Sequence, residues 1–211
     1  MTRDEATSAI KLGVEHDTRT VCIRPCDIEL AQSLCQGTST EVSTVLAFPH
    51  GIARTETKIA EAETYASLGV AEVDMVANYG FIKAKDWPAF EADIQGVFDV
   101  LSPSDIPLKV ILETAALELD EIAEATRRCA AIGVAFVKTS TGFGPGGATI
   151  EAVKTMLSAA GNQTKVKASG GIRSFEDAQR FIELGCARLG VGFSATTVLT
   201  RGGTQISNER Y

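Results

Sequence analysis

Histidine is nearly absent. His16 and His50 are the two in the chain, and they lie far apart. A zinc site gathers several imidazoles or thiolates at short spacing, so none is expected. The five cysteines, Cys22, Cys26, Cys35, Cys129 and Cys186, are odd in number and form no CxxC pair. Reduced thiols in a cytoplasmic protein are therefore expected rather than a disulfide framework. No stretch approaches the roughly 20 apolar residues of a membrane span. The opening "MTRDEATSAIKLG" lacks the apolar core of a secretory signal. Basic runs are missing too, and the formal net charge is −7, which argues against a nucleic-acid surface. A small phosphorylated metabolite is compatible with that balance, because a local site can be positive on an acidic protein. No GxGxxG follows the first apolar run, so the dinucleotide fingerprint is lacking. Linkers and low-complexity segments are absent as well. The 211 residues, 45% of them hydrophobic, are read as one domain spanning 1–211 with a polar tail over 201–211.

What is present is alternation. Short apolar runs recur as "TVCIRP" (20–25), "VSTVLAF" (42–48), "EVDMVAN" (72–78), "PLKVILE" (107–113), "AFVKTS" (135–140), "KVKASG" (165–170) and "RLGVGF" (188–193). Most are nearly continuous in apolar character, as parallel strands covered on both faces are. Helical periods lie between them. Ile59, Ala62 and Ala66 share a face before Gly69, and Leu119, Ile122, Ala123, Thr126 and Ala130 share one before Gly133. "SFEDAQRFIELG" opens on Ser174, has Asp177 three residues on and stops at Gly185, close to a capping box with a C-terminal glycine. Strict alternation implies an α/β fold with a parallel sheet. The polar residues that interrupt the runs, Asp74, Asn78, Glu113, Lys138 and Lys167, sit toward their C-terminal ends. Catalytic groups of a barrel converge on that face. The expectation is a TIM (β/α)8-type barrel in which only seven strands can be counted. The chain opens on a helix, and the first strand would belong ahead of Met1.

The chemistry is concentrated in two lysines. Lys138 closes the apolar run 135–137, and Lys167 lies in "KVKASGG". Burying an ammonium without a partner is costly. Lys165 and Lys167 are expected on opposite sides of their strand, one of them facing the axis. If Lys138 and Lys167 converge, each disfavours the other's charge and at least one becomes a better free amine. An unperturbed lysine is free amine roughly once in 2,500 molecules at pH 7, whereas a value near 7–8 makes about a tenth to a half of it available. A neutral amine attacks a carbonyl to form a Schiff base. Asp74, a poor strand residue inside an apolar run, is read as the carboxylate that pairs with Lys167 and relays protons. Glycines crowd 140–147, 169–171 and 190–192, and successive N–H groups in such loops form anion nests. The last two groups follow the last two strands, the frequent phosphate site of such barrels. The same residues would suit a phosphate-binding isomerase with Asp74 as base, or a binding protein without catalysis. Lys138→Arg separates the isomerase from a Schiff-base enzyme, which loses nearly everything, and a covalent imine at Lys138 separates that enzyme from a binding protein.

These residues resemble the deoxyribose-phosphate aldolase family. The matching motifs are "VCIRP", "AFPHG", "EVDMVAN", "KVILET", "FVKTSTGFGPGGAT" and "VKASGGIRSFEDA", in family order over about residues 20 to 192. The resemblance implies a metal-independent class I aldolase on a TIM barrel, with no cofactor. Its reaction would be the reversible cleavage of 2-deoxy-D-ribose 5-phosphate to D-glyceraldehyde 3-phosphate and acetaldehyde, in deoxyribose phosphate catabolism. On the same resemblance Lys138 is the Schiff-base lysine, Lys167 the lysine that tunes it, and Asp74 part of the proton relay. Thr141 and Gly142 line the substrate channel. Gly170 and Gly171, with Gly190 and Gly192, serve the phosphate, and Cys22 lies near the active site. Two departures from the family pattern are visible. "MTRDEATSAI" matches only the start of the first barrel helix, without the Asp-His-Thr-Leu-Leu strand that precedes it in the family. The last phosphate loop has Gly192 and Phe193, with Ser194 beyond, where the family has two serines. Exposed sheet edges in a barrel short of a strand invite pairing, so a homodimer is expected.

Overall fold

The apolar runs become seven strands, each within a residue or two of its expected limits at most ends. They are β1 (Thr20–Ile23), β2 (Glu41–Leu46), β3 (Glu72–Val76), β4 (Leu108–Ile111), β5 (Phe136–Lys138), β6 (Lys165–Ser169) and β7 (Arg188–Gly190). All six pairings are parallel, and the sheet runs β1-β2-β3-β4-β5-β6-β7, each strand beside its successor in the chain. The structure, a computed structural model, describes residues 1–201. The tail expected over 201–211 lies, past Arg201, outside the described residues.

Helices connect the strands: α1 (Arg3–Glu15) before β1, then α2 (Ile28–Cys35), α3 (Thr55–Leu68), α4 (Tyr79–Lys83), α5 (Trp87–Leu101), α6 (Leu119–Ile132), α7 (Ile150–Ala160), α8 (Phe175–Leu184) and α9 (Phe193–Arg201). Their ends are chemically marked. Thr2 and Glu5 form a reciprocal capping box on α1, and Ser174 accepts from the Asp177 N–H at the start of α8. Gly69, Gly133 and Gly185 close α3, α6 and α8 in the left-handed conformation that glycine adopts without strain.

The sheet is curled. Arg188 of β7 reaches Glu72 of β3 at 3.1 Å, although four strand spacings of a flat sheet would separate those strands by about 19 Å. Alternation then sorts the residues into two layers. Val73, Val110, Val137 and Val166 are buried in one cluster with Ile94, Ile122 and Met156 of the surrounding helices. Their strand neighbours Asp74, Lys109, Lys138 and Lys167 face the interior of the curl. The architecture is the seven-stranded TIM-type α/β fold expected. In the described sheet β1 and β7 are the two ends.

Three details differ from the expectations. Lys165 and Lys167 are two residues apart, and the strand period of two puts them on one side rather than on opposite sides. Lys165 is exposed at the strand's start with its ammonium 5.8 Å from the centre of the Phe136 ring, while Lys167 is buried one layer further on. The buried face of α3 is centred on Lys58, Ala62 and Tyr65 rather than on Ile59, Ala62 and Ala66. Leu119, at the first position of α6, is exposed.

Candidate active site

The lysine at the end of β5 and the lysine in the middle of β6 meet on one carboxylate. Register pairs Lys138 with Lys167 across the two strands, and parallel pairing of β3 and β4 brings Asp74 level with Lys109. Lys138 Nζ and Lys167 Nζ each lie 2.8 Å from Asp74 Oδ2. Asp74 Oδ1 accepts from Lys109 Nζ at 2.7 Å, and the same ammonium lies 2.7 Å from Glu72 Oε2. Arg188 completes the row on Glu72. Arg188 is partly exposed, but the rest is buried: Asp74 and Lys109 have 0% exposure, Glu72 and Lys167 4% and Lys138 6%.

Burial and charge decide the protonation of this cluster. Burial on its own would raise the Asp74 carboxyl, but Lys138, Lys167 and Lys109 outweigh it and hold the carboxyl well below the usual range. Burial lowers Lys138, and the neighbouring Lys167 charge lowers it further; the attraction of Asp74 and Cys22 does not make up the difference, and the amine stands below the usual lysine value. Lys167 is lowered by burial too, but Asp74, Cys22 and Glu72 more than compensate, and it stands above that value. The two lysines share one carboxylate oxygen at equal distance and still divide the roles. The repulsion between them is mutual, so the pair holds one proton more readily than two, and the additional attraction of Glu72 favours Lys167 as its holder. A lysine pair that gives up one proton more readily than the other, in contact with a buried carboxylate, can add to a carbonyl and move protons around the adduct.

The other expected site residues lie around this core. Cys22, in the middle of β1, is exposed, and its thiol acts electrostatically on both lysines. Thr141 follows β5 in the next loop; its hydroxyl donates to Glu113 Oε2 and accepts from the Phe143 N–H at 3.0 Å. Gly142, Gly170 and Gly171 have φ of 87°, 83° and 76°, all in the region that favours glycine. The loops after β5 and β6 touch closely. The Ala148 N–H donates to the carbonyls of Ser169 and Gly170, and a Cβ on Gly147 would stand 2.3 Å from the Gly170 oxygen. Gly190 does something the sequence did not reveal: a Cβ there would stand 3.1 Å from Lys167 Cε and 2.8 Å from Ser169 Cβ, so its bareness leaves room for the lysine. Gly192 precedes α9, and its carbonyl accepts from the Ala195 N–H at 2.9 Å.

Sequence reasoning missed Lys109, Glu72 and Arg188. The signal for Lys109 was available, since it breaks the apolar run "PLKVILE" as Lys138 breaks its own. Glu72 could have been placed two residues before Asp74, on the same face. Glu113 was noted as polar but not as the anchor of Thr141. Among the described residues no group of three or more His, Cys, Asp or Glu side chains could hold a metal ion. No described helix is long and apolar enough to cross a membrane.

No protein-family model matches the chain. A deoxyribose-phosphate aldolase of Thermoanaerobacter sp. (strain X514) is 44% identical over 190 residues, covering 90% of this chain and 85% of that one. The deoxyribose-phosphate aldolase of Mannheimia succiniciproducens is 42% identical over 200 residues, 93% of this chain and 88% of that one. Among solved structures, an aldolase designated QR15 superposes with a TM-score of 0.87 at 34% identity, covering 95% of this chain and 88% of that one. The deoxyribose phosphate aldolase of Aeropyrum pernix, described as a tetramer, superposes with a TM-score of 0.85 at 25% identity, over 95% of this chain and 84% of that one.

Proposed function

The chain belongs to the deoxyribose-phosphate aldolase family, and on that premise we propose that it cleaves 2-deoxy-D-ribose 5-phosphate through a Schiff base on Lys138. The observation that carries this reading is the pair of buried lysines on Asp74 Oδ2, one held below and one above the usual lysine range. The amine of Lys138 adds to the C1 aldehyde of the open-chain sugar, and loss of water leaves an iminium. The Lys167 amine, left when its ammonium proton departs with that water, takes the proton of the C3 hydroxyl, directly or through water, and the electrons of the C2–C3 bond flow toward the iminium nitrogen. D-Glyceraldehyde 3-phosphate leaves, and an enamine remains on Lys138. Protonation at C2 and hydrolysis then release acetaldehyde and restore the amine. The Lys167 ammonium supplies the proton, directly or through water, and Asp74 stays ionised beside it, orienting both nitrogens and balancing the iminium charge.

The glycines take the rest of the substrate. Gly170 and Gly171, at adjacent left-handed positions, and Gly190 and Gly192, around the end of β7, are the proposed phosphate cradle. Thr141 and Gly142 line the channel, and Cys22 borders it from β1. The reaction needs no metal and no cofactor, and it belongs to deoxyribose phosphate catabolism in the cytoplasm. We take residues 1–211 as one domain. The assembly we propose is a homodimer, since the two ends of the sheet offer edges for pairing.

A coupled assay for glyceraldehyde 3-phosphate tests the reaction. Wild-type protein dialysed against EDTA should turn over 2-deoxy-D-ribose 5-phosphate at its undialysed rate, and Lys138→Arg should fall to background. Substantial activity in folded Lys138→Arg would point instead to chemistry based on Asp74 and would sink the Schiff base.

A further inference from the structure

The interior of the curl holds more charge than the reaction uses. Lys109 is fully buried and touches no expected substrate group; its ammonium lies between Glu72 Oε2 and Asp74 Oδ1, at 2.7 Å from each. The charged and titratable groups on the inner face are Cys22 on β1, Glu72 and Asp74 on β3, Lys109 on β4, Lys165 and Lys167 on β6, and Arg188 on β7, with Glu41 of β2 on the same face but paired with Arg19 at the surface. Lys165 is exposed at the far end of its strand and is set aside by solvent screening. Of the remainder, Glu72 and Asp74 are the acids, and Lys109 and Arg188 match them one for one. The buried network is therefore neutral before Lys138 and Lys167 are considered.

We propose that Lys109 is the positioning residue that disfavours a second proton on the Lys138–Lys167 pair, because together with Arg188 it matches both interior carboxylates and leaves no unmatched negative charge to hold that proton. Geometry supports this beyond the count. Lys109 occupies Oδ1 of Asp74, so that both reacting nitrogens must share Oδ2. The carboxylate can neither rotate away nor give each lysine an oxygen of its own. Glu72 holds Lys109 from the other side, and Arg188 holds Glu72. Without Lys109 the acids would exceed Arg188 by one negative charge, and that charge would favour each added proton on the lysine pair. The inference rests on the reading of Lys138 as the nucleophile, but its test does not.

The test is the pH dependence of trace acetylation at Lys138 by acetic anhydride, read by peptide mass and normalised to the unfolded protein. This reports the free-amine fraction whatever the enzyme catalyses. In Lys109→Met the midpoint should move up by about one unit or more, the scale of a buried neighbouring charge, and labelling at neutral pH should fall about tenfold. In Glu72→Gln the midpoint should move down, because a positive charge is then left unmatched. The double variant Glu72→Gln/Lys109→Met, again balanced, should return toward wild type. A merely structural role cannot shift the midpoint in opposite directions. If Lys109→Met does not fold, an unmoved or raised midpoint in Glu72→Gln still overturns the proposal. If acetaldehyde and borohydride leave wild-type Lys138 unlabelled while these midpoints move as stated, the proposed reaction falls and the role of Lys109 stands. If the imine forms and the midpoints stay together, Lys109 is structural only.

Discussion

A carboxylate with no exposed surface survives inside the curl because three lysine nitrogens surround it, at 2.7 to 2.8 Å. Replacing Asp74 by Asn keeps the shape and removes the charge. Lys167 then loses the carboxylate that orients it and keeps it protonated, its proton transfers fail, and kcat should fall about 10²–10⁴-fold. Lys138 also loses its main attraction, so the acid limb of the pH–rate profile should move to lower pH. Steady-state rates across pH on folded variant check both; a kcat within tenfold of wild type, or a limb moved upward, would contradict the assignment. At this scale the sequence was partly legible. Lys138 and Asp74 stand out because a charge interrupts an apolar strand. Lys58 does not, because lysine on a helix normally points to water, and its partner Asp93 lies 35 residues away on another helix.

Between elements, α3 and α5 are joined by that Lys58–Asp93 pair, in which Thr55 also donates to Asp93 and Lys58 donates to the Val76 carbonyl at the end of β3. The pair is almost fully buried, at 0% and 2% side-chain exposure. Lys58→Met would leave Asp93 charged and unmatched, which costs about 3–5 kcal/mol. Urea unfolding should show that loss, and Lys58→Met/Asp93→Leu should recover most of it; a loss below about 1 kcal/mol for the single variant would mean that water reaches Asp93. β3 carries Asp74, so the pair also braces the strand that positions the site. Strands and helix caps were readable because period, Gly69, Gly133, Gly185 and Ser174 are local signals. The close contact of Gly147 with Gly170 was not, since it depends on how two loops pack.

For the whole molecule, the curl of the sheet is what turns a row of separate strand residues into one cluster. Seven parallel strands and their order followed from alternation, whereas the reach of Arg188 to Glu72 across the interior appears only in three dimensions. The cluster ties stability to acidity. Asp74 titrates well below its usual value in the folded chain, and Glu72 is also lowered, because Lys109 and Arg188 overcome the effect of burial. A carboxyl lowered by folding stabilises above its unfolded value, near 4, and that contribution is lost as pH falls toward the folded value. Thermal melts should therefore drop steeply from about pH 4 downward, and less steeply in Asp74→Asn; equal slopes would remove Asp74 from the account. The central claim is that Lys138 is the nucleophile, and covalent trapping reads it most directly. Wild-type protein is incubated with acetaldehyde, reduced with borohydride and mapped by peptide mass. The account predicts a two-carbon adduct on Lys138, absent from Lys138→Arg. An adduct on Lys167 instead, or none on folded protein, would contradict it.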